Sequence, residues 1–292
     1  MKNSNPTQRG ISPKDILFTV FTLLFLIAGI SLLLYPTFSN EWNKVHQTRT
    51  IATYEDCVEN TGKDKLDAMW EDAVKYNSDL RGYADRFHMT EDQLRTYENT
   101  LDISGTGIMG YIEIPQLDIY LPIFHDTNEG VLEVAVGHLA GSSLPVDSMG
   151  TNIVLAGHTG LPTRKLFTDI DKMKEGDTFE LIVLGRVLTY EVDRIEVVLP
   201  EKVESLGIDD DRNYCTLVTC TPYGVNTHRL IVRGKWIRTE YVEDVPTEPS
   251  IDLSENAQNR RLFLLALPFI GAAAAFAIFV GCLAIRRKRS SK

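Results

Sequence analysis

Two uncharged apolar runs, residues 16–35 and 262–285, bracket this chain of 292 residues. At about 1.5 Å per residue each is long enough to cross a bilayer as a helix. Each is apolar on every side, which argues against a helix that buries one stripe in a soluble core. Lys2, Arg9 and Lys14 precede the first run, and Arg286-Arg287-Lys288-Arg289 follows the second at once. Positive charge outside both spans places both termini in the cytoplasm and the middle of the chain on the far side. Pro36-Thr37-Phe38-Ser39-Asn40 offers no small-x-small cleavage site, so the first run reads as a retained anchor rather than a signal peptide.

Between the runs the period of the pattern changes once. Residues 41–101 are polar with helical spacing, as in Ala68, Trp70, Ala73, Val74 and Tyr76. Asn60-Thr61-Gly62 predicts a break between a helix near 42–59 and another near 63–80, and residues 81–99 are less regular. After Ser104-Gly105-Thr106-Gly107 the period becomes two. Strand-like runs lie at 109–114, 117–124, 152–156, 178–184, 187–198, 214–219 and 229–237, with a Pro-Gln turn after the first and a Gly185-Arg186 hairpin after the fourth. Short helices are expected at 163–169 and 130–136. Many short strands with little helix between them predict a mainly β fold, a closed barrel of about eight strands. The chain then divides into a cytoplasmic N-terminus (1–15), an anchor (16–35), a helical segment (36–104), the barrel (105–240), an acidic linker (241–260), a second span (261–285) and a basic cytoplasmic tail (286–292).

Charge narrows the partners. Ten of the thirty Lys and Arg lie in the two ends, which leaves twenty against thirty-nine Asp and Glu in the middle. A domain that acidic repels phosphate backbones, so nucleic acid is excluded as a partner. The four cysteines, Cys57, Cys215, Cys220 and Cys282, form no CxxC and have no zinc-like spacing, so no metal and no cofactor are called for. Cys282 falls in an apolar run, and an odd number then remains in the middle. Cys215 and Cys220 are five apart on one strand and face opposite sides, so Cys215 reads as a core residue. A bridge between Cys57 and Cys215 is conceivable, with nothing in the sequence to support it.

Cys220 has chemistry around it. The alternating run Thr216-Leu217-Val218-Thr219-Cys220 ends on the thiol, a Pro222-Tyr223-Gly224 turn follows, and the next run opens with Arg229. A nucleophilic thiol needs a proton acceptor and donors for the oxyanion formed when it attacks a carbonyl. Of the six histidines, His46 and His88 lie in the polar helical part, and His125 and His138 follow strand-like runs. His228 adjoins Arg229, so only one of the two can face the site. His158 ends the strand-like run at 152–156, between Gly157 and Thr159-Gly160, and is the sharper candidate.

These residues resemble the sortases of Gram-positive bacteria. The resemblance rests on Thr216-Leu217-Val218-Thr219-Cys220, on Arg229 nine residues later and on Gly157-His158 sixty-two residues before the cysteine. Tyr223-Gly224-Val225-Asn226-Thr227-His228-Arg229, the entry Gly110-Tyr111-Ile112-Glu113-Ile114-Pro115 and the C-terminal span are most similar to the class C, pilus-assembling branch. The resemblance covers residues 102–237 strongly and the helical approach loosely. It implies a sortase-type barrel and a membrane-anchored, extracellular cysteine transpeptidase. Cys220 would attack after Thr in an LPxTG-like sorting signal, His158 would protonate the departing amine, and Arg229 would hold the carbonyl or oxyanion. A pilin lysine would take the acyl group, while water or a peptidoglycan amine would be the acceptor in a protease or a cell-wall-anchoring relative. Thr219, Thr221 and Tyr223 would line the groove or its loop. How the thiol and imidazole divide their proton is left open by the residues. Class C members often carry an Asp-Pro-aromatic lid; here the matching stretch reads Asp85-Arg86-Phe87, with the proline absent, so Asp85 is a candidate partner of Arg229 or Cys220 and Phe87 a candidate plug. A non-enzymatic surface protein with the same tail would need an LPxTG-like motif before it, and residues 241–261 contain none.

Overall fold

The computed structural model describes residues 12–242 apart from Ala84, Pro162, Thr163 and Val203. The linker, the second span and the basic tail expected at 241–292 therefore lie almost wholly outside the described residues. The chain forms two compact units, divided after Glu41. In the first unit the described residues are helical and present Leu17, Phe18, Phe21, Leu32 and Leu33 at 68–80% exposure. By length and composition this is the one candidate membrane span among the described residues, with a mean hydropathy of 2.6 over its most apolar window. The helix, α1 (Pro13–Glu59), runs through Pro36, where the sequence places the end of the anchor. Proline forfeits one backbone donor and strains the preceding turn, but a long helix tolerates it.

In the second unit, α2 (Lys63–Leu80) and α3 (Glu91–Asn99) follow the end of α1. Gly62 precedes α2, as the Asn-Thr-Gly break predicts. Thr90 and Gln93 close α3 with a reciprocal capping box, a signal inside the stretch that reads as irregular from periodicity alone. Trp70, Ala73, Tyr76, Asn77 and Leu80 make the buried stripe of α2. The stripe packs into the same core cluster as the barrel interior. Each such fully buried apolar side chain contributes roughly 1.5–3 kcal/mol over exposure, so the helices are docked by their stripe rather than by propensity.

The strands are β1 (Ile108–Ile114), β2 (Ile119–His125), β3 (Val136–His138), β4 (Thr151–Ala156), β5 (Thr178–Val183), β6 (Arg186–Val198), β7 (Asn213–Thr221) and β8 (His228–Tyr241), with a short α4 (Glu129–Leu132) between β2 and β3. They close into a barrel in the order β1-β2-β3-β4-β7-β8-β6-β5. The pairs β2–β3 and β4–β7 are parallel and the other ladders antiparallel. The expected helix at 130–136 shrinks to the single turn of α4. The one expected at 163–169 is replaced by turns and a short 3-10 segment, Ile170–Lys172, where Phe167 and Ile170 are buried as core anchors. Cys57, Cys215 and Cys220 are all free thiols, and Cys215 is fully buried as a core residue.

Candidate active site

Three neighbouring strands bring the candidate residues level. β4 runs parallel to β7 with Ala156 opposite Val218, and the Gly157 amide donates to Val218 O at 3.1 Å, carrying the ladder one residue past the strand. Two residues beyond that pair on each strand stand His158 and Cys220. On the other side of β7, Cys220 is the direct antiparallel partner of Arg229. Adjacent strands lie about 4.8 Å apart, which sets the spacing of the Cys220 and Arg229 backbones, while His158 follows on the turn just past β4.

The face is set by alternation. Cys215 and Leu217 are fully buried in the core and Thr219 is 4% exposed, so Thr216, Val218 and Cys220 face outward from the barrel. The same period turns Arg229, Ile231 and Arg233 outward, and it turns His228, the partner of Thr221, the other way. Thr219 is consequently no part of a groove surface: it sits behind the sheet and its hydroxyl donates to Gly157 O at 2.6 Å. It clamps the turn that carries His158. Gly157 itself must lack a side chain, since a Cβ would lie 2.7 Å from the buried Phe167 ring, whose backbone N–H donates to His158 O at 3.1 Å. Thr221 is half-buried beside Cys220, and Tyr223 is exposed, with its ring 3.4 Å from the position a Cβ on Gly160 would take.

The Arg229 Nη1 donates to His228 O at 3.1 Å and to Asn226 O at 3.3 Å. Among the described residues no carboxylate lies within ion-pair distance of it. With five N–H groups on a planar fork, the guanidinium keeps donors for an incoming oxygen. Val198 on β6 is the register partner of Arg229, and from there a cleft of about 710 Å³ extends along the outer face between Arg194, Tyr214 and Arg233 on the strands and Lys202 and Gly207 on the loop before β7. Arg233 is held there by a bidentate pair with Asp193, at 2.7 and 3.0 Å, and lies 4.0 Å from the Tyr214 ring centroid.

The candidate lid residues occupy a neighbouring position with local partners. Asp85 Oδ2 lies 2.8 Å from His88 Nδ1 and its Oδ1 accepts from the Phe87 amide at 3.2 Å. The His88 hydrogen bond holds the Asp85 carboxyl below its usual range. Phe87 is 38% exposed and lies under the Arg86 guanidinium, 4.5 Å from carbon to ring centroid. Arg86, which the sequence reading leaves without a role, donates to Leu206 O at 2.8 Å and Gly141 O at 3.4 Å. His125 and His138 are structural. His125 places its two ring nitrogens 2.9 Å from Gly107 O and 2.8 Å from Thr100 O. His138 is fully buried, donates from Nε2 to Ser143 O at 2.7 Å and has Tyr97 Oη 3.0 Å from Nδ1; burial pushes its pKa down to about 3.

A closed eight-stranded barrel in which a thiol is paired with an arginine across β7 and β8, with a histidine just past the end of β4, makes Cys220 a candidate nucleophile. Residues 112–237 match the family model described as Sortase domain. The crystal structure of sortase C1 from Streptococcus agalactiae superposes with a TM-score of 0.64 at 43% identity, over 65% of this chain and 98% of that one. Sortase C of Clostridium perfringens, solved with the C-terminal cell wall sorting motif, gives 0.57 at 41% identity over 65% and 98%. Sortase D of Bacillus subtilis is 30% identical over 129 residues, 43% of this chain and 62% of that relative, so the chain spans under two thirds of that relative's length. The chain belongs to the sortase family, and its structural neighbours are class C sortases, as the resemblance in the sequence implies.

Proposed function

We propose that the protein is a membrane-anchored pilin transpeptidase. The Cys220 thiolate attacks the Thr carbonyl of an LPxTG-like sorting signal, and the C–N bond to Gly breaks with the proton delivered to the departing amine by His158. A thioester on Cys220 remains. A lysine amine of another pilin subunit then attacks it and loses its proton to His158, and the C–S bond breaks to release the Cys220 thiolate as the new amide forms. Arg229 cannot act as a base and so donates hydrogen bonds to the carbonyl oxygen as it gains charge, which leaves proton transfer to His158. The single observation that carries this reading is that outward-facing Cys220 is the direct ladder partner of Arg229, with His158 two residues past the end of the strand on its other side.

The apolar part of α1 would hold the enzyme at the membrane, with the catalytic unit extracellular and both termini cytoplasmic, and a second anchor at 261–285 would return the chain. The sorting motif bound by the Clostridium perfringens neighbour supports the donor class. The class C character of the neighbours, one of them a Streptococcus pneumoniae sortase C described for its pilin substrate specificity, supports pilin as the source of the acceptor. The test is to incubate the full-length chain in lipid nanodiscs with an LPxTG peptide and a lysine-bearing pilin fragment. The expected product is the isopeptide-linked conjugate. Hydrolysed acid alone, with the pilin lysine present in excess, rejects transpeptidation to pilin in favour of a protease, and transfer only to a peptidoglycan amine makes it a cell-wall-anchoring enzyme.

A further inference from the structure

Two side chains that the catalytic account does not use hold the loop facing the strands. Consecutive carbonyls of that loop accept from them: Leu206 O from Arg86 at 2.8 Å, and Gly207 O from Asn152 Nδ2 at 2.9 Å. The donors come from different parts of the chain. Asn152 lies on β4, fully buried, and its Oδ1 accepts from the Thr216 hydroxyl at 2.8 Å, four residues before Cys220 on β7. A hydrogen-bonded relay thus runs from the cysteine strand through Asn152 into the loop. Arg86 comes from the connection between α2 and α3. Its backbone is seated against Gly141, where φ is +88° and a Cβ would lie 2.1 Å from Arg86 O, so the approach requires glycine. Gly207, with Lys202, is on the loop side of the cleft that starts at Val198 beside Arg229.

We propose that Arg86 is a positioning residue for the donor peptide, acting with Asn152 to hold the Gly207 segment as a preformed wall of the cleft. The proposal rests on the transpeptidase reading above. A wall already in place need not be ordered when the peptide binds, so its loss weakens binding. Cys220 and Arg229 are placed by the strand ladder, and His158 by the turn that Thr219 and Phe167 hold, none of them by this loop, so the chemical step is left intact. A segment that merely covered the site would have the opposite effect, since releasing it would improve peptide access.

Steady-state cleavage of a fluorogenic LPxTG peptide by the full-length chain in nanodiscs separates the two. Arg86→Ala raises KM about threefold to tenfold with kcat within about twofold, as expected from losing one immobilising contact set. Arg86→Lys restores part of the effect, because an ammonium reaches one carbonyl rather than bridging two. Gly141→Ala, which keeps Arg86 but denies its backbone the approach, moves KM the same way. An unchanged KM overturns the proposal, and a lower KM overturns it in favour of an occluding lid. Hydrogen exchange of residues 207–212 in the same variants is read without substrate. If the wild-type chain turns over no such peptide, the transpeptidase reading has failed, and exchange no faster in Arg86→Ala then also refutes the tether.

Discussion

The strand ends that hold the proposed catalytic residues and the loop that faces them are built by different means. On the β4-β7-β8 side, Cys220 and Arg229 are paired in a backbone ladder, and His158 follows directly from the end of another on a turn that Thr219 clamps. Across the cleft, Leu206 and Gly207 are held by two side chains, Arg86 and Asn152, that lie 120 and 55 positions earlier in the chain. A ladder bond is one of many in a cooperative row. A tie is a single contact between distant segments. On the proposed reading, the fold fixes the candidate reacting groups through its ladders and leaves the wall of the cleft adjustable by single residues.

The largest expected effect breaks the rigid side. Gly157→Ala drives a methyl into the Phe167 ring and displaces the turn that Thr219 clamps, so His158 moves relative to Cys220. A shift on the order of 1 Å at a reacting group can cost about 100-fold, so kcat for peptide cleavage falls roughly 10- to 100-fold. The overpacking costs about 1–3 kcal/mol of stability in a denaturant titration. A variant with wild-type kcat would mean that the turn does not place His158.

The next effect concerns a third structural tie. Buried His138 joins β3 to Ser143 in the following loop and to Tyr97 of α3, with His125 close by. Its folded pKa, about 3, is depressed below the unfolded value near 6.5, so the unfolded chain binds the proton more tightly. The associated stability is fully present above about pH 6.5 and is lost as pH falls toward 3, amounting to roughly 2 kcal/mol by pH 5. Denaturation of the wild type at pH 7 and pH 5 measures the loss, and His138→Gln should remove that part of the pH dependence. An identical acid slope in the variant rules His138 out as its source. The Arg86 and Gly141 substitutions, with their threefold to tenfold changes in KM, complete the comparison at its adjustable end.

What could be read from the sequence follows the same division. The strand runs and the nine-residue step from Cys220 to Arg229 are local or periodic, and each landed on a ladder. β3 was missed because three residues, Val136-Gly137-His138, carry too little alternation to register, although they bridge β2 and β4. The groove assignment of Thr219 fails for a reason alternation could have supplied: it precedes Cys220 by one residue and therefore faces the interior. Arg86 stands inside the stretch singled out by the lid resemblance, but only as the residue in place of the proline. Nothing periodic links it to Leu206, 120 residues on, and only a folded chain reveals that its guanidinium, rather than Asp85 or Phe87 beside it, reaches across to the loop.

The central claim is that Cys220 forms the acyl intermediate, and intact-mass and peptide-mapping spectrometry tests it most directly. The full-length chain is mixed with an LPxTG-type peptide and quenched in acid before an acceptor is added. The account predicts a thioester mass increment on the peptide containing Cys220, absent in Cys220→Ala and discharged by a lysine amine. An adduct on Cys57 or Cys215, or peptide cleavage by Cys220→Ala at the wild-type rate, would contradict it.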